Sequence, residues 1–375
     1  MKKTTTILLL VVAAALALTG CDGKSGSGSG KVFKVSTLGA PYEIVVAASH
    51  EQWDGPLGDT VRAIFSAPVP YLNAVEPKFD VIRVLPAALK NNVNRHRNIL
   101  LFNISPDNQG TSMDVRYDIY AAPQVVLTAK GPNIESVTDY LSEHRQQLLQ
   151  LLEGTERDRA VDLANRIYDL NINKAVREKF GFEMRVPKGY LIRNNTVPDF
   201  MWVSFEYPQA SQGFFIYSYP YTGKEDFSLD SLVAKRNRFA ALIPGENPGS
   251  HMTTVTRIGE YDEDYIADRN ATAEEAVYAE RKYIEVKPDL EYVRIEGRFW
   301  AEMHGFWDVY KDYMGGPFTS FTTLDNDSGR VVTIDFYIYS PKDPKRNYLR
   351  GVEHLIHTVK FPSDIRAAEL AAQDE

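Results

Sequence analysis

Residues 317–339 read PFTSFTTLDNDSGRVVTIDFYIY, and this stretch decides the fold. Its two ends are rich in β-branched and aromatic residues, and Asn326-Asp327-Ser328-Gly329 between them is a run of turn formers. The pattern predicts two strands, Pro317–Leu324 and Val331–Tyr339, joined as a hairpin. The acidic run also resembles the start of an EF-hand calcium loop, but its glycine comes one position early and position twelve is Phe336, so we interpret it as a turn.

Two more strands are predicted immediately before this hairpin. Tyr292–His304 and Phe306–Tyr313 are separated by His304-Gly305, and Met314-Gly315-Gly316-Pro317 leads into the hairpin. Glycine and proline in these short connections are typical of tight turns. The four strands therefore predict an antiparallel meander.

The meander belongs to a predicted C-terminal α+β domain over residues 176–362. A helix is expected directly after Ser228, which is a good N-cap, and Asp230 in its first turn favours the helix dipole. A closing helix is expected over about 344–359. The other predicted elements are the strands Tyr190–Arg193, Met201–Tyr207, Gly213–Tyr219 and Met252–Ile258, and a helix over Ala273–Tyr283.

Residues 31–175 form a predicted N-terminal α+β domain with the order β-α-β-β-β-α-α. Pro123 indicates an edge or a bulge in its last strand, and Gly154 indicates a break in its long helical stretch. The predicted elements are strands Tyr42–Ala48, Phe79–Leu85, Asn98–Ile104 and Asp114–Thr128 and helices 50–66 and Ile134–Tyr168. The whole chain is thus α+β, with antiparallel-rich sheets, packed helices and a short polar tail over 363–375.

The first 30 residues predict export and a lipid anchor. Lys2-Lys3 precedes the apolar run Ile7–Leu18, which is too short to span a bilayer, and Leu18-Thr19-Gly20-Cys21 resembles the lipobox of bacterial lipoproteins. We expect residues 1–20 to be a signal peptide and Cys21 to carry the lipid, followed by a flexible Gly/Ser tether up to residue 30. An ordinary signal peptide followed by a free cysteine is the alternative.

Composition narrows the chemistry that the mature protein can perform. Cys21 is the only cysteine, so its lipidation leaves no thiol for a disulfide, a metal site or a nucleophile. The net charge of −8 argues against nucleic acid as a partner. His354 and His357 stand three residues apart, but no neighbouring carboxylate or third histidine supports a metal site. We predict no catalytic residue, metal or cofactor.

Two aromatic clusters are candidate ligand or partner surfaces. Tyr217 and Tyr219 share one face of a predicted strand with Phe215 and Tyr221. Such a face either covers the core beneath a helix or forms a platform for a glycan or a partner strand. The second cluster lies around a Gly-Gly-Pro sequence, which fits either a tight turn or close approach by a ligand; its members are Trp307, Tyr310, Tyr313, Met314, Gly315 and Gly316.

Three stretches together resemble the DUF4837 family, envelope lipoproteins of Bacteroidetes without an assigned function. They are Phe182-x-x-x-Val186-Pro187-Lys188-Gly189-Tyr190, Tyr217–Tyr221 with the following Ala234-Lys235-Arg236, and Gly305–Phe318. His304 stands where the family pattern leads us to expect arginine. The order of elements after Pro187 is also similar to a Mog1/PsbP-like α/β sandwich, a fold used mostly for binding or assembly. The resemblance implies no catalytic residues.

These observations predict a lipid-anchored cell-envelope protein that acts as a non-enzymatic binding or assembly factor. Its expected partners are the membrane, through the lipid on Cys21, and an envelope protein or glycan. We expect it at the outer membrane, facing the periplasm. A carboxylate-dependent hydrolase of glycan or cell wall and a structural spacer remain alternatives, and a pocket lined by Trp307, Tyr310 and Tyr217 would favour a small ligand.

Overall fold

The computed structural model describes residues 34–208, 210–259 and 283–371. From Val35 onwards, the described residues form one compact unit. The signal peptide, Cys21 and the tether lie outside the described residues. So do most of the helix predicted over Ala273–Tyr283 and the last four residues of the tail.

A five-stranded, mainly parallel sheet organises the first part of this unit. The strand order is β2-β1-β3-β5-β4, and only the edge strand β4 runs antiparallel to its neighbour. Strands β1, β3 and β5 are largely buried, which fits their continuous apolar runs. The strands are β1 (Glu43–Ala47), β2 (Asp80–Val84), β3 (Asn98–Ile104), β4 (Ser112–Tyr117) and β5 (Val125–Gly131).

Five helices belong to this part, and their breaks differ from the predicted ones. The helix predicted over 50–66 is two helices, because Pro56 starts a new first turn after Gly55. The long helix continues through Gly154, and its break lies at His144, so the predicted break is wrong. The helices are α1 (His50–Trp53), α2 (Pro56–Phe65), α3 (Ile134–Glu143), α4 (Arg145–Arg166) and α5 (Leu170–Phe180).

Two further predictions in this part are corrected. Asp114–Thr128 is not one strand, because Pro123 lies in the loop that joins β4 to β5. Helix α5 was not predicted, although its signals are present: the Asp169 side chain accepts from two backbone N–H groups, and Gly181 ends the helix with φ +81°. Helix α5 spans the predicted domain boundary between residues 175 and 176.

An eight-stranded antiparallel sheet forms the rest of the body, which confirms the α+β class. The order is β12-β13-β14-β15-β8-β7-β6, with β9 also paired to β13. A separate hairpin joins β10 (Arg257–Gly259) to β11 (Tyr283–Glu285). The sheet strands are β6 (Leu191–Asn194), β7 (Phe200–Glu206), β8 (Ser211–Pro220), β9 (His251–Thr254), β12 (Asp289–Ile295), β13 (Arg298–Tyr310), β14 (Gly315–Asp325) and β15 (Arg330–Tyr339).

The predicted hairpin of residues 317–339 is confirmed, but the turn at His304-Gly305 is wrong. Strand β13 runs straight through these residues, and the turn before it is at Glu296-Gly297. A Cβ on Gly305 would lie 2.8 Å from the ring of Phe318 on the paired strand. Glycine therefore makes space for a cross-strand ring here, and does not mark a turn.

Helices cover both faces of this sheet. Helix α6 (Leu229–Ala240) begins at Ser228 as predicted, and its apolar side packs on the face we call the α6 face. Helices α5 and α7 (Arg346–Glu353) pack on the opposite face. The closing helix continues as a 3-10 turn to Thr358, and helix α8 (Pro362–Ala371) occupies most of the predicted polar tail.

In the part of the chain that the structure describes, none of the helices combines the length and the apolar composition needed to span a membrane. Nothing in the structure tests the likeness to the Mog1/PsbP sandwich, which stays a prediction.

Candidate functional site

One end of the α6 face is not covered by helix α6 and forms a cavity of about 530 Å³, which we call the aromatic pocket. This volume lies within the range of small-molecule sites, roughly 300–1,000 Å³. Strands β7, β8, β13 and β15 supply its floor, and the segment between α6 and β9 supplies a wall. Its lining includes Trp202, Glu206, Tyr207, Ser211, Ile243, Glu246, Met252, Trp307, Met314, Tyr337, Tyr339 and Lys342.

Strand alternation places the aromatic floor of the pocket. Side chains two residues apart share a face of a strand, so Tyr337 and Tyr339 of β15 point to the same side. Trp202 Nε1 donates a hydrogen bond of 2.6 Å to the Tyr337 hydroxyl. A Cβ on Gly213 would lie 2.7 Å from that hydroxyl, so glycine is needed where the phenol crosses β8. Having accepted from Trp202, the Tyr337 hydroxyl keeps its own proton to donate.

Trp307 is the pocket residue with the most informative environment. Only 2% of it is exposed, and its ring meets the Tyr337 ring edge-on at 5.7 Å. Its Nε1 is buried and has no hydrogen-bond partner among the described residues. A buried donor without a partner costs about 1–3 kcal/mol. Such an atom in the lining of a pocket indicates a position for an acceptor that a ligand brings.

Charged groups lie around the rim of the aromatic pocket. Glu206 Oε1 accepts from Arg193 at 3.2 Å and from the hydroxyls of Ser204 and Ser211 at 2.7 and 3.2 Å. Glu246 and Lys342 also line the pocket. The rim therefore carries two carboxylates, one of them engaged by an arginine, and one ammonium group.

A buried ion pair fixes helix α6 beside the pocket. Arg236 Nε donates to Asp335 Oδ2 at 2.7 Å, and both side chains are fully buried. Burial raises the pKa of Asp335 to about 6, although Arg236 acts in the opposite direction. Arg236 also lies 3.6 Å from the centre of the Phe318 ring and contacts Met252 in the pocket wall. The pair thus holds the wall and the floor together.

The structure separates the seven predicted surface residues. Tyr217 is fully buried and Tyr219 is 4% exposed; both lie beneath α6 in the core, so they form no surface. Tyr310 and Tyr313 are exposed, at 53% and 102%, and neither is part of the aromatic pocket lining. Of the predicted aromatic residues, Trp307 lines the pocket.

Gly315 and Gly316 make room for neighbouring strands. A Cβ on Gly315 would lie 2.8 Å from the Trp307 carbonyl oxygen, and one on Gly316 would lie 2.0 Å from the Ile338 carbonyl oxygen. The close backbone approach that Gly-Gly-Pro predicts is therefore made by β13 and β15. The Gly316 Cβ position is also 3.2 Å from Trp307 Nε1, so this glycine allows the indole to lie close to the sheet.

Sequence reasoning missed most of the pocket. The sequence places Trp202, Tyr337 and Tyr339 in predicted strands and indicates no role for them. Their signal was the alternation of aromatic residues near the ends of strands. Which strand ends meet, and that helix α6 stops short of them, depends on pairing across more than 100 residues.

A second polar cluster has the order of a catalytic triad but is closed. Thr319 Oγ1 lies 3.3 Å from His304 Nδ1, and His304 Nε2 lies 3.0 Å from Glu302 Oε1. Thr319 is fully buried, and the Tyr71 ring stacks on the imidazole with centroids 4.7 Å apart. The cluster joins the N-terminal part to the large sheet and offers no access to the hydroxyl.

Potential metal ligands do not converge in the described parts of the chain. Among residues 34–208, 210–259 and 283–371, no three His, Cys, Asp or Glu side chains are grouped so that they could hold an ion. His354 Nε2 lies 3.2 Å from the Tyr42 hydroxyl, and His357 Nδ1 lies 3.3 Å from Glu296. The two histidines thus face different partners.

Comparisons with known proteins give families without an assigned activity. A model described as "Domain of unknown function (DUF4837)" matches residues 169–358, which contain the whole aromatic pocket. Another, described as "Domain of unknown function (DUF8532)", matches residues 37–164. No curated protein matches the sequence.

Two solved structures show distant likeness. LpqN, involved in cell envelope biogenesis of Mycobacterium tuberculosis, is 10% identical, with a TM-score of 0.24, over 48% of this chain and 82% of LpqN. The human StarD13 (DLC2) lipid transfer and protein localization domain is 11% identical, with a TM-score of 0.20, over 50% of this chain and 90% of that domain. TM-scores at this level support no inference about this chain.

Proposed function

This chain belongs to the DUF4837 family, and from that premise we propose that it is a lipid-anchored envelope protein that binds a small ligand in the aromatic pocket. Binding, rather than catalysis, is its proposed role. The anchor is a lipid on Cys21, and the proposed location is the outer membrane, on the periplasmic side. An envelope partner then receives or presents the ligand.

The observation that carries this proposal is the buried Trp307 Nε1, which has no partner in the part of the chain that the structure describes and belongs to a residue lining an open cavity. A folded protein rarely leaves a buried donor unpaired, and a ligand acceptor would satisfy it. The aromatic floor around it supplies apolar contact area. Neither feature is expected of a structural spacer, whose exposed surfaces would be polar.

The chain offers a matched control for the test. Trp300 and Trp307 both belong to β13 and are both 2% exposed, but Trp300 lies in the core on the opposite face of the sheet. The wild type, Trp307→Phe and Trp300→Phe are each purified from solubilised envelopes. Small molecules that are bound to each protein are then extracted and compared by mass spectrometry. We expect a compound that wild type and Trp300→Phe retain and Trp307→Phe loses. Equal yields from all three would contradict the proposal.

The anchor has its own test. Metabolic labelling with palmitate should mark the wild type and leave Cys21→Ser unlabelled and released from membranes. Density separation of the two membranes and protease treatment of intact cells then give the membrane and the face. A Cys21→Ser protein that keeps the label would exclude lipidation at this residue.

The hydrolase alternative has one observation in its favour, since Glu206 and Glu246 both line the aromatic pocket. Glu206 is already held by Arg193 and two serine hydroxyls, which favours a structural role. Release of soluble fragments from isolated cell wall, lost in both Glu206→Gln and Glu246→Gln, would establish the enzyme in place of the binding protein.

A further inference from the structure

The floor of the aromatic pocket recognises its ligand through side chains. Strands β7, β8 and β15 are each paired with a neighbour on both sides, so their backbone groups are used within the sheet. A peptide strand that binds by extending a sheet needs an unpaired edge. Among the described residues, these floor strands offer no such edge, which disfavours a peptide that extends the sheet at the floor.

The apolar part of the floor is aromatic more than aliphatic. Trp202 and Tyr339 are only partly buried and line the cavity with their rings, and Tyr339 lies 6.4 Å from the nearly buried Trp307, between ring centres. Aromatic faces carry partial negative charge and attract the weakly positive C–H groups of a saturated ring. A floor of flat aromatic rings surrounded by polar groups therefore suits a ligand that has an apolar face and polar groups at its edge.

The polar groups of the pocket include donors and acceptors together. Trp307 Nε1 and the Lys342 ammonium group supply donors, and Glu246 supplies an acceptor. A ligand hydroxyl both donates and accepts, so a polyhydroxylated ligand can use both kinds. A hydrocarbon chain would leave the buried Nε1 unpaired.

The charge of the rim separates neutral from anionic ligands. Two carboxylates and one ammonium group line the pocket, and one of the carboxylates, Glu206, is paired with Arg193. Phosphate and carboxylate ligands favour arginine-rich or lysine-rich sites. This rim therefore disfavours anionic ligands.

We infer that the ligand of the aromatic pocket is a neutral saccharide, an inference that rests on the proposed function. A sugar ring lies against the partly exposed Trp202 and Tyr339 rings, and one of its hydroxyls accepts from Trp307 Nε1. Other hydroxyls donate to the rim carboxylates. Trp307 is the residue that fixes the orientation of the sugar.

An array of neutral glycans tests this inference with the same tryptophan pair. Wild type and Trp300→Phe should bind at least one neutral glycan, and Trp307→Phe should bind it about tenfold more weakly, the loss expected for one hydrogen bond at most. Titration calorimetry with that glycan in solution checks the array. Two probes test competing ligand classes: tyrosine-containing tripeptides stand for peptide ligands, and tetramethylammonium stands for organic cations.

The outcomes separate the two proposals. No Trp307-dependent binding to any neutral glycan, or Trp307-dependent binding to the peptide or the ammonium probe, overturns the saccharide. If the extraction experiment nevertheless yields a Trp307-dependent compound, the binding function stands without the saccharide. If neither experiment depends on Trp307, both proposals fail. Circular dichroism of each variant confirms that it is folded.

Discussion

Tyr217 and Trp307 lie on the same face of the same sheet and are both almost completely buried, yet their surroundings differ. The Tyr217 ring stacks on Phe239 of helix α6, with centroids 4.5 Å apart. Trp307 lies past the end of α6 and lines an open cavity. The same alternation of aromatic residues thus gives core at one end of the face and a candidate site at the other.

The difference teaches that the extent of helix α6 decides which rings are available to a ligand. The helix is held over the covered end by the Arg236–Asp335 pair and by Phe239. Changes at the covered end should therefore lower stability, and changes at the open end should alter binding. The following predictions test this division, from the largest expected effect to the smallest.

Replacing Arg236 with Met should have the largest effect on stability. The substitution leaves the Asp335 carboxyl buried without its partner, and breaking a buried pair costs about 3–5 kcal/mol. Urea unfolding followed by fluorescence measures this loss. Arg238→Met on the exposed side of the same helix is the control and should change stability by less than about 0.5 kcal/mol. Equal effects of the two substitutions would show that the pair does not hold α6.

Replacing Phe239 with Ala should lower the free energy of unfolding by about 3 kcal/mol, because it leaves a cavity over Tyr217. Met314→Ala at the open end is the comparison, and it should cost less because Met314 is only partly buried. Thermal unfolding of both variants measures the difference. A larger loss for Met314→Ala would reverse the assignment of core and pocket.

The pH dependence of stability should carry the signature of Asp335. Its pKa is raised from 3.8 to about 6 by burial, so the folded state holds this proton more tightly than the unfolded chain does. The resulting stabilisation is present below about pH 4 and is lost as the pH rises through about 6. Between these values wild type should lose about 3 kcal/mol more than Asp335→Asn. Parallel pH curves for the two proteins would contradict this.

Replacing Trp307 with Phe should have the smallest effect on stability, less than about 1 kcal/mol. The lost packing is offset by removal of a buried donor that has no partner in the described residues. Trp300→Phe is the matched control in the opposite core. A loss of several kcal/mol in Trp307→Phe alone would mark Trp307 as a structural residue and weaken its assignment to a site.

Local patterns predicted many elements, since cap and turn residues act within a few positions of the chain. Ser228 predicted the start of α6, and the run Asn326–Gly329 predicted the hairpin of β14 and β15. Glycine was misread where its reason was tertiary: Gly305 makes space for Phe318, and Gly154 is simply tolerated within α4. The site could be predicted only in part, because Trp307 and Met314 were recognised and the other lining residues come from distant strands.

The sequence by itself determined the α+β class, the hairpin of β14 and β15 and the family, because periodicity, turn chemistry and motifs are local properties. Tertiary structure alone decided that Tyr217 is core and that Trp307 lines a pocket. Both residues have the same alternation and nearly the same burial, and they differ only in whether a helix more than ten residues away in sequence covers them. The pairing of distant strands and the length of α6 decide which of the two residues the helix covers. Neither property can be inferred from the local sequence around Tyr217 or Trp307.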